Sequence, residues 1–372
     1  MKRLNRFDHI MLTGVIILCA LSVVMVASAS MSIAQVRYGD SMRIISHWAV
    51  YMPVGLVLMW YISRVDVDWW RAAVMPLLLG VMTLMILVLI PGLGAQINGA
   101  RRWFSMLGLT LQPVELLKPV VVIYMAYYMA TFPDRLKTFS TGLAPMLVVL
   151  GIAVLLLLLQ PDFGSAVLLV SVCMAMWFVG GVPLPHLLSL FACVVPIGSA
   201  ILIAEPYRVQ RLLSFLDPWA DPLGKGYQLV QSMIAFGAGG VHGVGLGQGV
   251  QKLFYLPEPF TDFITAVLAE ELGLSGTLGL ILLFSIVLWR GLLLAFRVKE
   301  TFPRLLSLGC VLLLAAAFFI NMGAAMGILP TKGMPMPLMS YGGSALLGSF
   351  ILLGLLFSVQ RHSPVNSRRG EP

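Results

Sequence analysis

Tyr255-Leu256-Pro257-Glu258-Pro259-Phe260-Thr261-Asp262-Phe263, followed closely by Leu268-Ala269-Glu270-Glu271-Leu272-Gly273, runs carboxylates straight into an apolar segment. An acid at the mouth of a membrane helix is costly to place there and marks a functional site by default. The stretch closes a longer segment, Glu205 to Gly273, which is mostly too polar to cross a bilayer and lies between two long apolar runs. Working outward from it, the rest of the chain reads as membrane.

Of the 372 residues, 59% are hydrophobic and only 11% are charged, which excludes an ordinary soluble composition. Ten apolar runs, each about the thickness of a bilayer core, lie near 10–30, 47–63, 74–93, 113–132, 142–160, 163–181, 184–204, 264–288, 305–327 and 343–360. The expected fold is therefore all-α: one polytopic membrane domain over 1–372, with a large extracytoplasmic loop at 205–263 between the seventh and eighth spans and a short tail at 361–372. The net charge of +8 comes from basic residues spread through loops, so it reports topology rather than nucleic acid. With both termini in the cytoplasm, fourteen of the 24 Lys and Arg fall on the cytoplasmic side and nine outside, with Lys118 in the membrane. Lys2, Arg3 and Arg6 flank the first span as in a signal peptide, but its length favours a retained anchor. Cys19, Cys173, Cys193 and Cys310 all fall in spans and read as small core residues, and the five histidines show no metal spacing. Trp48, Trp60, Trp69 and Trp70 lie near span ends and read as an interfacial belt.

Several segments carry chemistry. Asn98-Gly99-Ala100-Arg101-Arg102-Trp103 sets two arginines where the topology expects few, either as headgroup contacts or as a fork for an anionic substrate. In Gln112-Pro113-Val114-Glu115-Leu116-Leu117-Lys118, the proline suits a first helical turn. Glu115 and Lys118 then share a face, as a neutral structural pair or as the lining of a substrate cavity. Gln160-Pro161-Asp162-Phe163-Gly164 joins two spans, and Asp162 either caps the second helix or belongs to the site. Around a short amphipathic helix lie turn-rich stretches containing Arg208 and Arg211 on one side and Asp217 and Asp221 on the other. Between Gly237 and Gly249, seven of thirteen residues are glycine, reading either as a flexible loop or as backbone that wraps a diphosphate. Ala27-Ser28-Ala29-Ser30 reads as a close-packing patch, and Leu329 to Ser344, with Lys332 and Ser340, as irregular backbone beside a cavity.

These motifs together resemble the SEDS family of shape, elongation, division and sporulation proteins. The likeness rests on Leu256-Pro257-Glu258, Thr261-Asp262-Phe263, Leu268 to Gly273, Gly99-Ala100-Arg101-Arg102-Trp103, Gln112-Pro113 with Glu115 and Lys118, and Gln160-Pro161-Asp162 with Gly164. Asp217-Pro218-Trp219-Ala220-Asp221-Pro222 and the Pro330-Thr331-Lys332-Gly333 start of a stretch ending Ser340-Tyr341-Gly342-Gly343-Ser344 are similar to the division branch rather than the elongation branch. Phe260 departs from the pattern, because the family usually has His there; a relay or ligand contact through that His has no counterpart here.

The resemblance implies a peptidoglycan glycosyltransferase of the bacterial cytoplasmic (inner) membrane that polymerises lipid II, the undecaprenyl-pyrophosphate disaccharide-pentapeptide, during cell division. It implies Asp262 as the catalytic carboxylate. Glu258 would orient it, and Arg101, Arg102, Glu115, Lys118, Asp162, Arg208, Arg211, Lys332 and Ser340 would form the substrate environment. Glu270 and Glu271, farther along the helix, read as network groups. The implied partners are a class B penicillin-binding protein transpeptidase and other divisome proteins, with no nucleic acid. No cofactor is established, although a divalent cation, Mg or Mn, suits a pyrophosphate leaving group. The alternatives are a lipid II flippase using the same cavity, the elongation-type polymerase, and a scaffold that only recruits a synthase.

Overall fold

In the computed structural model, residues 8–97, 99–106, 109–331 and 333–362 are described, those at 106, 109, 207 and 208 by backbone alone. Asp8 accepts the Met11 N–H and so starts α1 (His9–Tyr38), which ends where Gly39 turns left-handed and donates to Gln35 O. There follow α2 (Arg43–Arg64), the short α3 (Val67–Ala72) begun by Asp66, and α4 (Val74–Leu87). A small antiparallel sheet comes next, with β1 (Ala95–Ile97), β2 (Ala100–Met106) and β3 (Leu109–Leu111) in that spatial order. Pro113 opens α5 (Pro113–Thr131), and a 3-10 turn and a π turn lead to α6 (Ala144–Leu159). α7 (Phe163–Val179), α8 (Leu184–Ile203), α9 (Pro206–Leu216), α10 (Tyr227–Gly239), α11 (Ile264–Arg297), α12 (Thr301–Ala325) and α13 (Gly343–His362) complete the chain.

Each of the ten expected spans coincides with an apolar helix. Eight of these helices are long and apolar enough to cross a membrane, while α4 and α7 are shorter, and the chain is a multi-pass membrane protein. Packing explains the arrangement. α12 sits centrally against α5, α7, α11 and α13, and α13 packs along α2. Phe284 of α11 stacks on Phe318 of α12 at 4.3 Å between ring centres. α8 is the opposite case, since Leu187 is its single buried residue.

Three readings need correction. Of the four belt tryptophans, Trp48 and Trp70 are buried in the protein rather than turned to lipid, and Trp60 and Trp69 are exposed. Trp48 faces inward because its turn of α2 packs on Tyr341, with ring centres 5.9 Å apart. Cys193 is exposed, because α8 buries almost nothing, whereas the other three cysteines are buried. The stretch around Arg101 and Arg102 is not plain loop but a β-ribbon.

The glycine-rich run is likewise not a loose loop, and the N–H groups of Val244 and Gly245 are already spent on α11. α11 breaks at Gly273, where φ is 66° and ψ −162°, a conformation that favours glycine. The break frees backbone groups, and residues 240–245 take them up. Val244 and Gly245 donate to Glu270 O and Glu271 O at 3.0 Å, while Leu274 and Ser275 donate to Gly240 O and Val241 O at 2.9 and 3.0 Å. Such close backbone approach leaves no room for side chains. A Cβ on Gly243 would meet Glu271 O at 2.1 Å.

Candidate active site

One large cavity, about 1150 Å³, opens among β2, α5, α7, α9, α13 and the segments before α11 and α13. Its walls collect Arg102, Glu115, Lys118, Asp162, Arg211, Glu258 and Asp262, with apolar residues such as Leu168, Leu313, Leu314 and Leu352 deeper in the bundle. Most of the expected site residues are therefore brought to one place.

Asp262 sits at the end of a tight loop in which Glu258 has a left-handed φ of 53°. Thr261 and Phe263 donate their N–H groups to Glu258 O, and the Thr261 hydroxyl donates to Glu258 Oε2 at 3.2 Å. Glu258 is exposed and Asp262 half-buried, on adjacent turns of the same loop. Burial, and then the negative charge of Glu258, push the Asp262 carboxyl up to about 6 against the pull of Arg211. A carboxylate tuned to that range is suited to accept a proton near neutral pH. Arg211 reaches the same wall, its Nη1 donating to Thr331 O at 3.4 Å. The backbone at Gly333 lies so near that a Cβ there would be 3.2 Å from Asp262 Oδ2.

Glu115 and Lys118 form an ion pair of 2.6 Å, and both line the cavity. Asp162 likewise combines roles, accepting from Ser165 N at 3.0 Å while lining the cavity. Arg102 is turned to a different task. Its guanidinium donates to Gln160 O and Pro161 O at 2.6 and 2.5 Å, tying β2 to the α6–α7 hairpin at the cavity edge.

Two expected residues, Arg101 and Ser340, stand apart from the cavity, as does Phe260 at the family's His position, and two more reach past what is described. Arg101 does not line the cavity, although Ala100, Arg102 and Trp103 do; β2 carries a bulge at this point, between the Gln96–Arg101 and Ala95–Trp103 pairs, which re-aims its side chains. Ser340 is buried and accepts Met336 N at 2.8 Å, holding a turn instead of facing the cavity. Phe260 is buried with its ring 5.6 Å from that of Tyr341, and Tyr341 N donates to Phe260 O at 2.8 Å, so this position braces the loop. Arg208 lies on α9, its side chain outside the description, and Lys332 lies outside the described residues altogether.

Glu270 and Glu271 form a separate, closed network, as their distance along the helix suggested. Glu270 accepts Val250 N at 2.8 Å and Gln251 N at 3.2 Å. Glu271 pairs with Lys252 at 2.5 Å and accepts the Ser28 hydroxyl at 2.6 Å, with both charged side chains almost fully buried. Ser28 is thus a partner in an ionic cluster rather than only a small packing residue. Among the described residues, no group of three His, Cys, Asp or Glu is arranged to hold a metal ion.

Sequence reasoning passed over Asn321 and Lys252. Asn321 donates from Nδ2 to Asp262 O at 2.9 Å and to Met334 O at 2.7 Å. A lone amide in an apolar span was the available signal.

The family model for cell cycle proteins of the FtsW, RodA and SpoVE type matches residues 8–364. A probable peptidoglycan glycosyltransferase FtsW of Geobacter metallireducens is 39% identical over 359 residues, covering 96% of each chain. Its counterpart in Nitrosococcus halophilus is 44% identical, covering 95% of this chain and 92% of that one. Among solved structures, a chain of a peptidoglycan synthase complex, studied for coordination of polymerization and crosslinking, superposes with a TM-score of 0.80 at 31% identity, over 97% of this chain and 99% of that one. The rod shape determining protein RodA of Thermus thermophilus gives a TM-score of 0.72 at 26% identity, covering 98% and 100% of the two chains.

Proposed function

Because the chain belongs to the FtsW, RodA and SpoVE family of cell cycle proteins, we propose that it is a peptidoglycan glycosyltransferase that polymerises lipid II during bacterial cell division. The observation that carries this reading is the Asp262 carboxyl, raised to about 6 and facing the cavity that also holds Arg211 and the Glu115–Lys118 pair.

In this reading, Asp262 takes the proton of the acceptor GlcNAc 4-hydroxyl as that oxygen bonds to C1 of the donor MurNAc. The bond from C1 to the pyrophosphate oxygen breaks, the configuration inverts, and undecaprenyl pyrophosphate leaves. A positioned base contributes about 10²–10⁴-fold. Arg211 and Lys118 supply positive charge against the leaving pyrophosphate, and the apolar walls suit a lipid tail. A divalent cation would add charge at the same pyrophosphate, but the residues present do not fit one well: Glu115 is engaged by Lys118 and Asp162 by the Ser165 N–H, and among the described residues no group of three ligating side chains is arranged around a metal ion.

Purified protein incubated with lipid II should yield glycan bands that disappear in Asp262→Asn. Absence of product from the wild type, with lipid II moved across vesicles, would favour the flippase instead.

Two finer proposals accompany this one. In the cytoplasmic membrane, both termini and the stretch from Arg290 to Arg304, which runs from the end of α11 into the start of α12, face the cytoplasm and residues 205–263 face outward; Lys225→Cys in a cysteine-free background should label only from outside. The partner is a class B penicillin-binding protein transpeptidase, consistent with the synthase complex that this chain superposes on. Failure to co-purify with one, together with no gain in polymerisation on adding one, would remove that proposal.

A further inference from the structure

The polymerase reading above leaves open what fixes Asp262 in place, since the loop that carries it precedes α11 while the wall facing it belongs to the segment between α12 and α13. Asn321 joins the two. It is the one Asn or Gln of α12 and is only 3% exposed. Its two amide hydrogens are spent on two carbonyls, Asp262 O and Met334 O. Its Oδ1 meets no partner among the described residues, so the amide is kept at the expense of a buried, unsatisfied acceptor. Met334 adjoins Gly333, whose backbone crowds the Asp262 carboxylate, and Thr331 of the same segment accepts from Arg211.

We propose that Asn321 is a positioning residue for the glycosyl transfer. By gripping the Asp262 backbone and the Met334 backbone with one amide group, it fixes how far the base stands from Arg211 and from the wall that closes over it. The inference rests on Asp262 being the base. Asn321 touches neither substrate nor the reacting atoms; it acts through the loop it holds. Without the amide, the loop gives up its tie to α12 and the carboxyl gains solvent. Its affinity for a proton then falls back toward that of an ordinary carboxylate, because burial is the main reason it is raised.

The test compares wild type, Asn321→Leu and Asn321→Ser, each purified with its transpeptidase and corrected for folded fraction. Asn321→Leu keeps the volume without the donors, and Asn321→Ser keeps one donor. The expected result for Asn321→Leu is a kcat lower by roughly 10–100-fold, the scale of a misplacement of about 1 Å. KM for lipid II should stay within about twofold, and the acid limb of kcat should move to lower pH. Asn321→Ser should fall between the two. A purely structural role would lower the folded fraction without moving that limb, so an unmoved limb overturns the proposal, as does a normal kcat per folded molecule. Failure of both variants to accumulate assigns the amide to folding and also overturns it. Asp262→Asn, run alongside, separates the two claims. If it stays active, the base reading fails; if it is inactive while Asn321→Leu behaves normally, only the present inference fails.

Discussion

Two acidic sites lie within a dozen residues of each other, and they are built in opposite ways. Glu270 and Glu271 are sealed, with backbone N–H groups on one and Lys252 and Ser28 on the other. Asp262 and Glu258 are open to a large cavity, with like charges close and a cation only partly offsetting them. A carboxylate enclosed by donors of its own protein and buried is out of a substrate's reach. One left half-buried beside another acid is held near its titration point. The position of an acid in this stretch therefore says less than the company it keeps.

The sharpest way to break the contrast is in the sealed site. Lys252→Met strands Glu271 in the interior, and losing one partner of a buried pair typically costs about 3–5 kcal/mol. Thermal unfolding in detergent should show it, and adding Glu271→Met should restore most of the loss. A single variant as stable as the wild type would mean the cluster is not sealed.

In the open site the expected loss is of rate instead. Asp262→Asn should lower glycan formation by about 10²-fold or more while folding is kept. The same change should raise stability at pH 7. Because the folded carboxyl sits near 6 against an ordinary 3.8, its contribution to stability is complete below about pH 4 and is lost as pH rises through about 6. The stabilisation by Asn should therefore shrink toward pH 4, and an advantage that stayed constant with pH would contradict the assigned burial.

Smaller effects test the supports. Gly243→Ala places a Cβ against Glu271 O in a left-handed conformation, with an expected loss of about 1–3 kcal/mol by thermal unfolding. Glu258→Gln removes the acid that helps raise Asp262, so the acid limb of the rate profile should move modestly to lower pH. An upward movement would show that Glu258 acts chiefly by another route.

Most of the helical frame was legible because bilayer-length apolar runs are hard to mistake, and Asp262, Glu258, Glu115 and Lys118 were legible because charge in or beside such runs is rare. What escaped depended on contacts distant in sequence. Nothing local tells that Gly243 will meet Glu271 or that Ser28 will meet Lys252. Arg101 and Arg102 were inseparable until a bulge in the β-ribbon set only Arg102 on the cavity, although Asn98-Gly99 already carried a hairpin signal. Trp48 looked interfacial because its depth depends on Tyr341, nearly three hundred residues later. Ser340 carried the right chemistry for a ligand but turned it to its own backbone.

The break in α11 also bears on how the protein is made. The four backbone bonds across Gly273 link residues 240–245 to 270–275, so the earlier segment leaves the ribosome about thirty residues before its mate. An earlier segment that is available when the interrupted helix arrives would spare the freed polar groups a wait in lipid. A chain in which 240–245 is scrambled should fail at membrane integration during synthesis, before any question of catalysis arises, and pulse-labelled membrane fractions would register that failure directly.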